Sequence, residues 1–124
     1  MRFMLALIMM TLLIMTCGCK PDYSEEAHEM TGGDPAKGKV AMAHYGCSSC
    51  HTIPGVRDAD ALVGPPLKQI ASRMYIAGVL KNTPNNMIQW IKDPPGVDPK
   101  TAMPNMHVSD ADARDMAGYL YTLR

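Results

Sequence analysis

The chain has 124 residues, with 12 Lys and Arg against 12 Asp and Glu. That length suits one small domain, and the balanced charge argues against a nucleic-acid-binding face and against wholesale disorder. With a single Phe and a single Trp, aromatic packing is thin and the core is modest.

Residues 1–19 read MRFMLALIMMTLLIMTCGC. Arg2 gives a positive start, and residues 3–15 are almost wholly apolar. The run is shorter than the about 20 residues that span a bilayer and has the form of an export signal. Its end resembles a lipoprotein processing site. Cys19 follows the small Gly18 and is the better match for acylation, while Cys17 follows Thr16 and is its rival. An uncleaved N-terminal anchor is the other reading. Both imply export, with the domain held at the periplasmic face of a membrane; a multiply acylated cysteine would hold it stably.

Residues 20–33 are polar, carry Asp22, Glu25, Glu26 and Glu29, and end in Gly32-Gly33. This composition predicts a flexible acidic tether. A domain then begins and fills residues 34–124. Asp34 is a natural N-cap and Pro35 suits the first helical position, so a helix is expected from there to about residue 44 or 45. Gly38 lies inside it at a cost to helix stability, which points to a close neighbour. Residues 52–66 read as loop. A short helical piece is expected over 67–74, and another over 76–79. Met87, Ile88 and Ile91 recur at helical spacing around Trp90 over residues 85–92, and Asp93-Pro94-Pro95 stops that helix. Residues 97–106 form a proline-broken loop. The last helix starts at the N-cap Ser109, with Asp112 three residues on, and runs to about residue 123. Met116, Leu120 and Leu123 mark its buried stripe beside Ala113 and Ala117. Strand signals are almost absent, so the fold class is all-α, with three to five helices and long loops.

The chemistry is concentrated in GCSSCH, residues 46–51. Cys47 and Cys50 are the cysteines left to an exported domain, so they are no disulfide framework. A redox Cys-x-x-Cys of the thioredoxin kind belongs in a βαβ setting, which the pattern lacks. A structural zinc site needs four ligands; Cys47, Cys50 and His51 make three, with His44 or His107 as a fourth. The remaining reading is covalent haem, whose attachment signature is Cys-x-x-Cys-His. Cysteines at i and i+3 share one face of a helical turn, where both can form thioethers with haem vinyl groups, and His51 follows as a metal ligand.

The order of motifs around this turn resembles the class I c-type cytochromes over about residues 33–124. The stretches that carry the resemblance are GDPAKGKVAMAHYGCSSCH, GPPL at 64–67, Arg73, WIKDP at 90–94, TAMPNM at 101–106 and DMAGYLYTL at 115–123. The spacing from Gly38 to Cys47 is one residue longer than in mitochondrial members. With its lipoprotein-like start the chain is similar to the short membrane-tethered or oxidase-associated members.

The resemblance implies a class I cytochrome c fold around one covalently bound haem c. It makes His51 the proximal ligand through Nε2, with its other ring N–H given to the carbonyl of Pro65, and Met103 the sixth ligand. Met106 and His107 are the alternatives to Met103. Arg73 would contact a haem propionate, Tyr75 is a weaker partner for the same group, and Trp90 would lie near the methionine side. The first and last helices would cross at Gly38, with Tyr119 covering it. The implied function is that of a one-electron carrier of a respiratory-type chain, not an enzyme. Its partners would be an oxidase, a quinol-oxidising complex or a dehydrogenase. A haem enzyme or gas sensor with a labile sixth ligand is the alternative. Lys68, Lys81, Lys92 and Lys100 give residues 68–100 a basic bias against Asp93 and Asp98, which suits a partner presenting carboxylates.

Overall fold

The computed structural model describes residues 21–124. The signal-like segment 1–19, with the acylation candidates Cys17 and Cys19, lies outside the described residues.

The first described element corrects an expectation. Within the anticipated tether, Ser24–Thr31 forms a helix, α1, that ends at Gly32 with a left-handed φ of 69°. Glu25 and Glu26 sit in its first turn, where acidic side chains complement the helix dipole. Its docking face is small. Ala27 is completely buried and Thr31 nearly so. The Thr31 hydroxyl donates to the Ala27 carbonyl at 2.8 Å and accepts from the Gly33 N–H at 3.1 Å. Arg124 closes the other end, reaching Glu26 at 2.7 Å while its guanidinium lies 4.5 Å from the Tyr23 ring centroid. A segment rich in acids is therefore ordered because two small side chains and one ion pair fit it to the C-terminal helix.

Helix α2, Pro35–His44, starts where the capping signal placed it: the Asp34 carboxylate accepts from the N–H groups of Ala36 and Lys37. Two one-turn 3₁₀ segments follow, Cys47–Ser49 and Ile70–Ser72. The second replaces the longer helix expected over 67–74, because Gln69 adopts a φ of 55° and breaks the α-path. The helix expected over 76–79 is a hairpin instead. Strand β1, Tyr75–Ile76, pairs antiparallel with β2, Leu80–Lys81. Ala77 and Gly78 both take positive φ in its turn, the conformation of tight hairpin turns. Helix α3, Pro84–Lys92, carries Met87, Trp90 and Ile91 inward. It stops at Asp93, whose side chain caps one further turn, α4, Pro94–Val97. Helix α5, Asp110–Tyr121, is capped by Ser109, which accepts from the Asp112 N–H. Hydrogen bonds from the hydroxyls of Ser109 and then Tyr45 hold the Asp112 carboxyl below its ordinary range.

Helix α5 organises the fold, packing against α1, α2 and α3, most extensively against α2. Gly38 abuts the backbone of Asp115 and Met116, and Gly33 abuts that of Arg114 and Asp115. The Asp34 N–H donates to the Asp115 carboxylate at 2.7 Å, latching the crossing. The glycine inside α2 is thus explained by backbone contact with α5. The Tyr119 hydroxyl donates to the Pro54 carbonyl and seals the Pro54-Gly55 turn. Below the crossing lie Met42, Ile53, Ile70, Met87, Trp90, Met116 and Leu120. Burial of each large side chain there contributes about 1.5–3 kcal/mol. No helix among the described residues is long and apolar enough to cross a membrane.

Candidate haem site

α2 delivers the chain through Gly46, at a φ of 75°, into the turn that holds Cys47 and Cys50. The turn is closed by the N–H groups of Cys50 and His51, both donating to the Cys47 carbonyl. Both cysteines are free thiols and half-buried. Burial pushes the Cys47 thiol above its ordinary value, which keeps it protonated rather than poised for disulfide exchange. Among the described residues, no three His, Cys, Asp or Glu side chains converge so as to hold a metal ion. His44 is turned edge-on to Tyr45, and His107 lies exposed in its loop. The zinc reading therefore lacks, among the described residues, the converging ligand set it needs.

His51 is oriented by the opposite loop. Its Nδ1 lies 2.8 Å from the Pro65 carbonyl oxygen. A carbonyl only accepts, so the proton sits on Nδ1 and Nε2 keeps its lone pair. The neighbouring backbone is fixed by Gly64 N–H to the Cys50 carbonyl at 2.7 Å and Leu67 N–H to the Thr52 carbonyl at 2.9 Å. Gly64 lies flat on the imidazole: a Cβ there would fall 2.5 Å from Cε1 and 2.7 Å from Nδ1 of His51. The GPPL motif thus works through a missing side chain at one residue and a carbonyl at the next.

Arg73 reaches the same loop from below. Its Nη2 donates to the carbonyls of Pro66 and Lys68, the latter at 3.0 Å. The group expected to meet a propionate is here engaged with backbone. Asn82, which the sequence pattern did not single out, ties Arg73 in turn. Its Nδ2 donates to the carbonyls of Ile70 and Arg73, and its Oδ1 accepts from the Tyr121 hydroxyl. An Asn before Thr-Pro reads as turn chemistry, so no local signal marks this role.

Of the three rival sixth-ligand side chains, Met103 packs half-buried against the core, its N–H given to the Thr101 hydroxyl at 3.2 Å. Met106 is exposed, and so is His107 at a φ of 54°. Trp90 is buried in α3, while Tyr75 stands exposed at the start of β1.

The residues present fit a covalently held haem. Two free thiols share one turn, the next residue offers an imidazole nitrogen that makes no hydrogen bond to the loop, and a half-buried thioether lies in a later loop. The loops after the turn also expose large apolar side chains, with Leu62 at 83%, Val63 at 80% and Met74 at 78%.

Comparison with known proteins agrees. Residues 35–124 match the family model for cytochrome c. Cytochrome c oxidase subunit 2 of Alkalihalophilus pseudofirmus is 29% identical over 102 residues, covering 82% of this chain and 29% of that protein. The subunit 2 of Bacillus subtilis is 29% identical over 87 residues, covering 68% of this chain and 24% of that protein. Cytochrome c-552 of Nitrosomonas europaea is 31% identical over 86 residues, covering 63% of this chain and 70% of that protein. The chain thus spans less than a third of the oxidase subunits and most of the small cytochrome. A match that runs from the first residue of α2 to the C-terminal residue means that the protein belongs to the cytochrome c family, as a class I c-type cytochrome.

Proposed function

We propose that this protein is a lipid-anchored, exported one-electron carrier with one haem c, ligated by His51 and Met103. When bound, the haem supplies a one-electron iron couple. Cys47 and Cys50 would hold it by thioethers, and Nε2 of His51 and the sulfur of Met103 would ligate its iron. The observation that carries the reading is the Nδ1–H of His51 on the Pro65 carbonyl. It fixes the tautomer that leaves Nε2 as a donor, and with it the orientation of the ring. The half-burial of Met103 supports the second ligand. A thioether there would raise the reduction potential and keep small ligands off the iron, as suits a carrier rather than an enzyme. Arg73 is read as a propionate partner, with Tyr75 the weaker candidate, and Trp90 as packing on the methionine side.

The oxidase subunits among its relatives support a membrane redox complex, of oxidase type, as partner. The lipoprotein-like TCGC sequence supports a periplasmic, membrane-held position through Cys19. Cys19→Ala should release the protein into the soluble fraction, whereas Cys17→Ala should leave it on the membrane.

The ligand reading is tested on matured protein. Its denatured mass should include one haem. A far-red sulfur-to-ferric-iron band should be present, be lost in Met103→Ala and persist in Met106→Ala. Absence of that band, with fast binding of carbon monoxide or cyanide, would favour the haem enzyme or sensor.

A further inference from the structure

The histidine, the Gly-Pro-Pro loop, the arginine and the C-terminal helix are joined by an unbroken series of hydrogen bonds. The Nδ1–H of His51 rests on the Pro65 carbonyl at 2.8 Å. The next carbonyl, that of Pro66, accepts from Nη2 of Arg73, which also reaches the Lys68 carbonyl. The backbone carbonyl of Arg73 accepts from Nδ2 of Asn82 at 2.8 Å, and the same amide donates to the Ile70 carbonyl at 2.9 Å. Its Oδ1 accepts from the Tyr121 hydroxyl at 2.8 Å, and its own N–H donates to the Met74 carbonyl at 2.9 Å. Tyr121 is buried in α5.

Asn82 therefore uses both amide hydrogens and its side-chain oxygen, and it is the point where the loop system meets the rigid helix. A side chain that makes three hydrogen bonds in a part-buried site holds its neighbours in one arrangement. The loop it steadies is pinned at its two ends, by the Gly64 N–H on the Cys50 carbonyl and the Leu67 N–H on the Thr52 carbonyl. Between them Pro65 and Pro66 have no N–H to donate, so the orientation of that peptide rests on what its carbonyls accept. We propose that Asn82 is a positioning residue for His51: it fixes the backbone of Arg73, Arg73 fixes the Pro66 carbonyl, and the Pro65 carbonyl is thereby kept on Nδ1 of the axial histidine.

This rests on the reading of His51 as an axial ligand, and the experiment separates the two. In reduced, haem-loaded, ¹⁵N-labelled protein, the exchange of the His51 Nδ1–H with solvent is followed by NMR beside the amides of α5. Asn82→Ala should speed the ring N–H exchange about tenfold relative to those amides, the scale of one lost hydrogen bond in a local opening. Arg73→Leu should do the same, and the double variant should be no faster than the faster single, because both cut one series. Tyr121→Phe removes one bond with little loss of packing and should give a smaller change of the same sign, which keeps the test open if Asn82→Ala fails to fold. If the ring N–H and the α5 amides speed up in parallel, Asn82 is merely structural. If the two substitutions add, or Tyr121→Phe changes nothing, the series is not coupled. Each of these results overturns the proposal. If the unmodified protein shows no haem-shifted His51 ring signals, the ligand reading itself fails.

Discussion

Gly38 of α2 lies against the carbonyl of Asp115 in α5, with no room for a β-carbon between them. The Asp34 N–H and the Asp115 carboxylate lock the same crossing one turn earlier. The neighbour is backbone within a helix, not the movable tip of a side chain, so an added methyl cannot be accommodated by a rotamer change. Gly38→Ala is expected to destabilise the matured protein by about 3 kcal/mol, the upper range for overpacking, despite the better helix propensity of alanine. Urea unfolding measures it. Alanine at Gly32, where nothing lies within reach of a Cβ, should cost far less, through its left-handed φ alone.

The docking of α1 turns on Ala27, which has no exposed surface. Ala27→Glu puts a carboxylate where no partner is available, and the helix should detach instead of burying the charge. Amide exchange over residues 24–31 should then lose its protection, while α3 keeps it. Removing the Arg124 side chain should be milder, at most about 1 kcal/mol, because its partners Glu26 and Tyr23 are partly exposed and pairs of this kind contribute little. A tether in the sense read from composition would show no protection in either form.

What was legible in the chain follows from which signals are local. Asp34-Pro35 and Ser109-x-x-Asp112 announce their helices because caps are satisfied within four residues. The Cys-x-x-Cys-His turn is equally self-contained. The helix α1 escaped notice because its buried face is Ala27 and Thr31, too small to register as an apolar stripe, and its fit depends on Gly33, Gly118 and Arg124. The hairpin escaped because Ala77 takes a left-handed φ of 51° that its residue type disfavours. At the site, the resemblance led to Pro65 and the structure puts its carbonyl on His51. The engagement of Arg73 with two carbonyls, and of Asn82 with Arg73, links residues of three separate loops and leaves no periodic trace.

Tyr121 makes stability depend on alkaline pH. Burial raises its phenol from the ordinary 10.0 to about 12, and the residue is only 3% exposed. Below pH 10 the phenol is protonated both folded and unfolded, and its contribution is fully present. Between pH 10 and about 12 the unfolded chain releases the proton and the folded one keeps it, so stability falls as pH rises. The loss should be on the order of 2 kcal/mol across that window. Tyr121→Phe should flatten the fall, as read from urea unfolding at a series of pH values. Burial moves Tyr119 in the same direction, so some slope should persist.

The basic bias of residues 68–100 is not shared equally among its lysines. Lys92 is paired with Asp110, and this pairing holds the Asp110 carboxyl low. Lys68, Lys81 and Lys100 are exposed and have no ion-pair partner among the described residues. If this face receives a carboxylate-bearing partner, those three supply the attraction and Lys92 is largely spent. Small oxidants of opposite charge test it without the partner. At about 10 mM ionic strength, where the Debye length is about 30 Å, oxidation of the reduced protein by hexacyanoferrate(III) should slow roughly tenfold when Lys68, Lys81 and Lys100 are all changed to Glu. The same triple variant should react faster with a cationic cobalt complex, because the sign of the field is reversed. Lys92→Gln should change either rate little. A triple variant whose rates with both oxidants match the unmodified protein would place the haem edge away from these lysines, and the docking face would then have to be sought among the exposed apolar side chains near Leu62 and Met74.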